Sequence, residues 1–132
     1  PRSFTSLSIE PMHLRWLAVT DNLGRVMALE PKSLVCVRLF KGYRDAQVGW
    51  TDPIAANLEC EHKDAALLVV YAPRRGLLEV WRMPSGGRLF ACSVGPDCTL
   101  LSSPPVAPDG RPCCYLVQPS GLCHCVRRGA AL

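Results

Sequence analysis

The chain has 132 residues, of which 48% are hydrophobic and 20% are charged, a balance typical of a globular domain and not of a disordered segment. Its net charge is +4, from 15 basic and 11 acidic residues, and the basic residues are too scattered to form the stripe that nucleic acid requires. The longest apolar run, 65–72, is far shorter than the about 20 residues of a membrane-spanning helix, so we expect neither a nucleic-acid partner nor a membrane span.

Short β-prone runs separated by turn residues fill the first part of the chain. They predict strands at 4–9, 15–20, 25–30 and 34–40, with turns near 21–24 and 31–33. In the first turn, Asp21 and Asn22 can cap backbone N–H groups and Gly24 allows a positive φ. Twelve prolines and ten glycines interrupt nearly every window long enough for a helix, so we expect an all-β chain.

A similar series of predicted strands and turns recurs later in the chain. Strands are predicted at 67–71, 77–82 and 88–94, with turns near 73–76 and 84–87, and a third, partial copy has strands at 113–117 and 122–126 around a turn at 118–121. The interval between the turn glycines Gly76 and Gly121 matches the period of propeller blades, which is about 40 to 45 residues. The interval from Gly24 to Gly76 is longer, because it contains a connection at 43–65. A simple meander of hairpins would give some of this self-similarity as well.

Cysteine is abundant in this chain. An even number of cysteines in a secreted chain suggests a disulfide framework. The first residues, however, carry neither Met nor a secretory signal pattern, which favours reduced thiols and a piece of a longer product. Cys36 and Cys92 fall inside apolar runs, where a thiol behaves as a small hydrophobe. The eight cysteines are at positions 36, 60, 92, 98, 113, 114, 123 and 125.

The cysteines near the end of the chain do not have the spacing of a structural zinc site, which usually uses C-x-x-C turns. A two-residue hairpin loop at 119–120 would place Cys114 opposite Cys125 and Tyr115 opposite His124. His124 would then point away from the cysteines beside it, because consecutive side chains leave opposite faces of a strand. We therefore expect no metal, no cysteine nucleophile and no cofactor.

Two motifs, FKGYRDAQVGW at 40–50 and YAPRRGLLEVW at 71–81, resemble the N-terminal propeller region of the non-catalytic subunit of the Rab-three GTPase-activating complex. The resemblance extends over about 17–126. It implies a WD-repeat-like β-propeller built of antiparallel hairpin blades, with blade-like units at about 4–42, 66–95 and 113–126. A propeller closes with four to eight blades, so we expect an incomplete fragment. Its exposed strand edges, near 67–71 and 122–126, should then promote self-association.

The resemblance implies a regulatory, non-catalytic scaffold subunit and not an enzyme. Its implied partners are a catalytic subunit and Rab small GTPases, on which the complex stimulates GTP hydrolysis or nucleotide exchange in vesicle trafficking. The implied location is the cytoplasm, with peripheral association at the endoplasmic reticulum as an option. The cysteine count leaves one alternative open, a secreted, disulfide-stabilised β-rich binding domain.

The candidate partner-binding residues come from the two motifs. Tyr43 and Trp50 suit either packing between blades or an interface anchor, and Arg44 and Asp45 suit a local ion pair. Arg74 and Arg75, in the predicted turn at 73–76, are the residue type that supplies an arginine finger. In the resembled family the finger belongs to the catalytic subunit, so contacts to a neighbouring blade or a partner are expected instead. The candidates are Lys41, Tyr43, Arg44, Asp45, Trp50, Arg74 and Arg75.

Overall fold

A computed structural model describes residues 1–52, 66–102 and 113–126. The described residues form strands joined by turns, without a helix, which confirms the predicted all-β class. Within the described ranges no helix is long and apolar enough to cross a bilayer. The strands are β1 Phe4–Ile9, β2 Leu17–Asp21, β3 Val26–Leu29, β4 Cys36–Phe40, β5 Gln47–Thr51, β6 Ala66–Ala72, β7 Leu77–Met83, β8 Arg88–Ser93, β9 Thr99–Ser102, β10 Cys114–Val117 and β11 Cys123–Cys125.

The strands form three antiparallel sheets in chain order. The first sheet is β1-β2-β3-β4, the second is β5-β6-β7-β8, and the third is β11-β10-β9. In each sheet, strands that follow one another in the chain are hydrogen-bonded neighbours. The predicted turn glycines take the conformations that the turns require, with φ of 81° at Gly24, 62° at Gly76 and 91° at Gly121. This arrangement of small antiparallel sheets is consistent with a propeller-like fragment.

Two strands were not predicted, and one predicted edge is wrong. The range 43–65 is not only a connection, because β5 lies inside it and pairs with β6. Likewise β9 pairs with β10 and completes the third sheet. With β5 in place, β6 is a central strand, so 67–71 is not a sheet edge, whereas β11 is an edge strand as expected. The remainder of the predicted connection, 53–65, lies outside the described residues.

The second sheet packs against its neighbours through both of its faces. On β6, Leu68 and Val70 face the first sheet, whose side of the core includes Ala18, Val26 and Phe40. Small residues such as Ala18 let the two sheets approach closely there. This first core is fully buried at its centre, and it joins the first and second sheets into one packed unit.

The alternate residues of β6 build a second core. Leu67, Val69 and Tyr71 face the third sheet, where they pack with Cys114 and Leu116. A strand that is apolar on both faces is typical of a layer covered on both sides, and each of the seven β6 residues is indeed buried.

One sheet face in the described structure is apolar and uncovered. On the side of the first sheet that points away from the second sheet, a row of paired residues crosses the four strands, from Leu7 through Val19 and Met27 to Leu39. Val19 and Met27 are buried, but Leu7 is 68% exposed and Leu39 is 45% exposed. This surface, which we call the outer face of the first sheet, lines a groove of about 800 Å³.

Two expectations for the cysteines are wrong. Cys36 and Cys92 lie in strands β4 and β8, as predicted, but neither is a core residue. Cys36 lies opposite Leu29 and lines the groove on the outer face of the first sheet. Cys92 lies opposite the buried Leu78 but is only half-buried, because β8 is an edge strand. In the last hairpin, Tyr115 and not Cys114 lies opposite Cys125. The loop has three residues, with Gln118 N donating to Leu122 O at 2.9 Å, and the extra residue, Gly121 in the left-handed region, shifts the register by one.

Candidate functional site

All candidate partner-binding residues except Trp50 lie in two loops that meet at one end of the first two sheets. The β4–β5 loop covers 41–46, and the β6–β7 turn covers 73–76. We call these two loops together the rim. Lys41, Arg44, Asp45 and Arg74 are exposed there.

Tyr43 fixes the β4–β5 loop to the first sheet. Its side chain is buried, and its ring meets Phe40 edge-on, with ring centroids 5.8 Å apart. Its backbone N–H donates to the carbonyl of Gly24 at 2.8 Å. At Gly24 a Cβ would lie 3.1 Å from Arg44 N. The β2–β3 turn and the β4–β5 loop can therefore approach this closely only because residue 24 is glycine. Tyr43 therefore acts as a packing anchor beneath the rim.

Trp50 joins the second sheet to the first. Its side chain is buried in the first core, and its indole N–H donates to the carbonyl of Ser8 at 3.0 Å. A buried indole N–H usually has a hydrogen-bond acceptor, and this hydrogen bond fixes the orientation of the ring. Tyr43 and Trp50 are thus both buried, which favours the packing interpretation of these two residues over direct contact with a partner.

Asp45 pairs with Arg74 and not with its neighbour Arg44. Arg74 contacts Asp45 Oδ2 through Nε at 3.0 Å and through Nη2 at 2.9 Å. The local pair expected from the sequence is therefore wrong, because Asp45 lies in the left-handed region, with φ of 61°, and faces the β6–β7 turn. Both side chains are more than half exposed, so this pair contributes little to stability.

Arg75 binds the same loop from the other side. Its Nη2 donates to the carbonyl of Gly42 at 3.0 Å, and its guanidinium lies 4.6 Å from the centre of the Tyr43 ring. A Cβ at Gly42 would come within 2.9 Å of Arg75 Nη2. Arg74 and Arg75 thus connect the second sheet to the loop that leaves the first, and an arginine finger would have to break these contacts.

A buried carboxylate lies below the rim. Glu79 of β7 is fully buried and accepts a hydrogen bond from Arg88 Nη1 at 2.8 Å. Burial, followed by the nearby Glu79 carboxylate, raises the pKa of the Tyr43 hydroxyl, and Arg75 offsets only part of this rise. Tyr43 is therefore a neutral phenol at physiological pH. In the sequence, the only sign of the buried Glu79 carboxylate is a single acidic residue within a mostly apolar strand.

The family of the chain follows from comparison with known proteins. A family model described as the Rab3 GTPase-activating protein regulatory subunit N-terminus matches residues 1–101. The chain belongs to this family. That match includes the whole of the first and second sheets, the rim and both motifs, and it confirms the resemblance found in the sequence.

A curated relative and the solved structures complete the comparison. The Rab3 GTPase-activating protein regulatory subunit of Caenorhabditis elegans is 35% identical over 89 residues, which are 67% of this chain and 6% of the relative. The chain therefore corresponds to a small part of that relative's length. No solved structure matches the chain.

Gln47 connects the second sheet to the third within the region shared with the family. Its Nε2 donates to the carbonyl of Cys98 at 3.2 Å, and its Oε1 accepts from the N–H of Leu100 at 2.8 Å. Because both groups of the amide are used, the side chain holds β9 beside β5 in one register. Sequence reasoning missed Gln47 because its importance depends on a strand that was not predicted.

Asp21 organises the β2–β3 turn beside the rim, as the sequence predicted. Its buried carboxylate accepts from the N–H groups of Leu23 and Arg25, both at 3.0 Å, and pairs with Arg25 Nε at 2.8 Å and Arg2 Nε at 3.2 Å. Burial alone would raise the pKa of Asp21, but hydrogen bonds from Arg25 and Leu23 and the charge of Arg25 lower it below its usual value. Together with Arg44 and Arg74, it lines a polar groove of about 540 Å³.

Proposed function

We propose that this chain is part of a regulatory, non-catalytic scaffold subunit of a Rab GTPase-activating complex. In this proposal it partners a catalytic subunit, and the pair stimulates GTP hydrolysis or nucleotide exchange on Rab GTPases in vesicle trafficking. The observation that carries the proposal is the family match over 1–101, together with the name of the relative from Caenorhabditis elegans.

The rim is the surface we propose for the partner subunit. It presents the cations Lys41, Arg44 and Arg74 with Asp45 among them, beside a polar groove. Such a surface suits an acidic face on a partner, because complementary charges speed encounter and set orientation. Tyr43 and Trp50 then contribute indirectly, by holding the loops that carry the charged side chains.

The engagement of both turn arginines supports a scaffold role over a catalytic one. An arginine finger must reach the γ-phosphate, whereas Arg74 and Arg75 contact Asp45 and Gly42 of the same chain. We propose further that the protein works in the cytoplasm, with peripheral association at the endoplasmic reticulum as an option.

The test is single-turnover GTP hydrolysis by a Rab protein with saturating catalytic subunit. Replacing Arg74 and Arg75 by Ala in the regulatory subunit should weaken subunit association by at most a few kcal/mol, with turnover of the assembled complex preserved. Lys32→Ala, an exposed charge change in the β3–β4 turn, is the control. A double variant that binds normally but loses about 10³-fold in hydrolysis would make an arginine catalytic and the proposal wrong.

The alternative is a secreted, disulfide-stabilised β-rich domain. It is favoured by the eight cysteines, whereas the structure shows seven of them as thiols. Thiol titration under denaturing conditions, on protein purified without oxidant, separates the two functions. Eight reactive thiols support the regulatory subunit, and none supports the secreted domain.

A further inference from the structure

Two thiols of the third sheet lie in contact at the end of its hairpin. The Sγ atoms of Cys113 and Cys125 are 2.8 Å apart. Cys113 immediately precedes β10, and Cys125 is the last residue of β11. Because Cys125 lies opposite Tyr115, Cys113 is its diagonal neighbour on the same face of the sheet. The two side chains therefore converge where a cross-link between the strands would form.

We propose that Cys113 and Cys125 form a reversible oxidation site, in which a small disulfide of the glutathione class converts the two thiols into an intramolecular disulfide. The site lies beyond the 1–101 family match and is independent of the function proposed above. The short separation between the sulfur atoms is the observation that carries it, because a disulfide needs side chains that already point towards one another.

The reaction is thiol–disulfide exchange in two steps. Cys125 is half-buried and Cys113 is buried, so the Cys125 thiolate attacks first, one sulfur of the small disulfide bonds to Cys125 Sγ, and the other leaves as a thiol. The Cys113 thiolate then attacks Cys125 Sγ and releases the second small thiol. The two protein thiols are oxidised with loss of their protons, and the small disulfide is reduced to two thiols.

The neighbouring cysteines are poor competitors for this reaction. Cys114 points to the opposite face, where its thiol donates to the carbonyl of Trp50 at 3.4 Å, and burial raises its pKa to about 12. It therefore stays protonated and inaccessible. Cys123 is exposed, but it lies opposite Val117, two residue pairs further from Cys113 along the hairpin than Cys125. The geometry thus selects one pair among four nearby thiols.

The cross-link would tie down the edge of the third sheet. It would close a loop that contains β10, the turn at 118–121 and β11, and β11 is an edge strand of only three residues. A closed loop has fewer unfolded conformations, so the oxidised hairpin should resist fraying better than the reduced one. We expect the oxidised chain to unfold at a higher temperature than the reduced chain.

Mass spectrometry tests the proposal directly. The 132-residue chain is incubated with oxidised glutathione, remaining thiols are alkylated, and the product is digested with chymotrypsin, which cleaves after Tyr115 and so separates the two cysteines. We expect a linked pair of fragments, one with Cys113 and one with Cys125, that dithiothreitol separates again. Cys113→Ser and Cys125→Ser should each abolish the linked pair. Cys123→Ser, the matched control on the same strand, should retain it.

Other results would overturn the proposal. They are the absence of a linked pair in the wild-type chain, a pair that persists in Cys113→Ser through Cys114, or a pair that persists in Cys125→Ser through Cys123. The wild-type result does not depend on any variant folding. The unfolding midpoint of the oxidised and reduced wild-type chain supplies an independent readout, and a midpoint that falls on oxidation would contradict the predicted stabilisation.

Discussion

At the scale of single residues, the polar groups that matter most are those that join elements and are buried or half-buried. Asp21 holds a turn, Gln47 bridges two sheets, and Trp50 reaches from β5 to the carbonyl of Ser8. Arg74 and Asp45, by contrast, form a pair that stays exposed to solvent. Substitutions at the first three positions should therefore affect stability more than substitutions at the exposed pair.

Asp21→Asn should destabilise the chain at neutral pH. Because the folded-state pKa of Asp21 is lowered, its charged form contributes stability above the unfolded-state pKa, and this contribution disappears as the pH falls through the folded-state value. The loss should be about 1 to 3 kcal/mol at pH 7 and should shrink below pH 4. Urea unfolding across this range measures it, with the exposed Glu30→Gln as control. A loss that is equal at pH 3 and pH 7 would contradict the prediction.

Trp50→Phe should cost more than Trp81→Phe. Trp50 lies in the first core and Trp81 packs against it. The N–H of Trp50 has the carbonyl of Ser8 as acceptor, whereas the N–H of Trp81 is buried without a hydrogen-bond partner in the described structure. Trp50→Phe leaves a carbonyl unsatisfied, at a cost of about 1 to 3 kcal/mol, while Trp81→Phe removes an unsatisfied donor. Chemical denaturation of the two variants compares them, and an equal loss would argue against the Ser8 hydrogen bond as the cause.

At the scale of elements, close contact between sheets depends on a glycine inside a strand. A Cβ at Gly49 of β5 would lie 2.7 Å from Cys114 Sγ and 2.9 Å from Ser102 Oγ. Gly49→Ala should therefore push the second and third sheets apart and cost about 1 to 3 kcal/mol. Gly87→Ala is the control, because nothing lies within 4 Å of a Cβ there. Thermal unfolding should show a lower midpoint for Gly49→Ala alone.

The same element shows what the sequence could and could not predict. Strands such as β1 and β6 were found because their β-prone residues are bounded by glycine and proline. The strand β5 was missed because Gln47 and Gly49 break its pattern, and both residues serve contacts to the third sheet. Register in the last hairpin could not be predicted either, because it depends on whether Gly121 belongs to the loop.

The candidate site was predicted only in part, because its contacts also depend on how distant parts of the chain pack. The motif residues of the two loops do meet, but the sequence could not tell that Asp45 would choose Arg74 over Arg44. That choice depends on how two sheets pack, which is a contact between distant parts of the chain. Glu79 and Gln47 were missed altogether, since their partners lie on other strands.

At the scale of the whole molecule, the outer face of the first sheet should drive self-association of the isolated chain. Apolar faces of this kind are rarely exposed on monomers. Leu7→Lys, at a side chain that is 68% exposed, should raise the dimer dissociation constant by about tenfold or more without loss of fold. Leu23→Lys, in the exposed β2–β3 turn, is the control. Light scattering that shows a monomeric wild-type chain at all concentrations would contradict this expectation.

The two-sided packing of the second sheet has a consequence for how the molecule opens. Because β6 contributes alternate residues to both cores, its amides become accessible only when neither neighbouring sheet is in place. Amide hydrogen exchange should therefore be slowest in β6, close to the rate set by global unfolding, and faster in the edge strands β1 and β11. Loosening either neighbouring sheet alone should leave the slow amides of β6 protected, so the sheets would detach from the outside inwards.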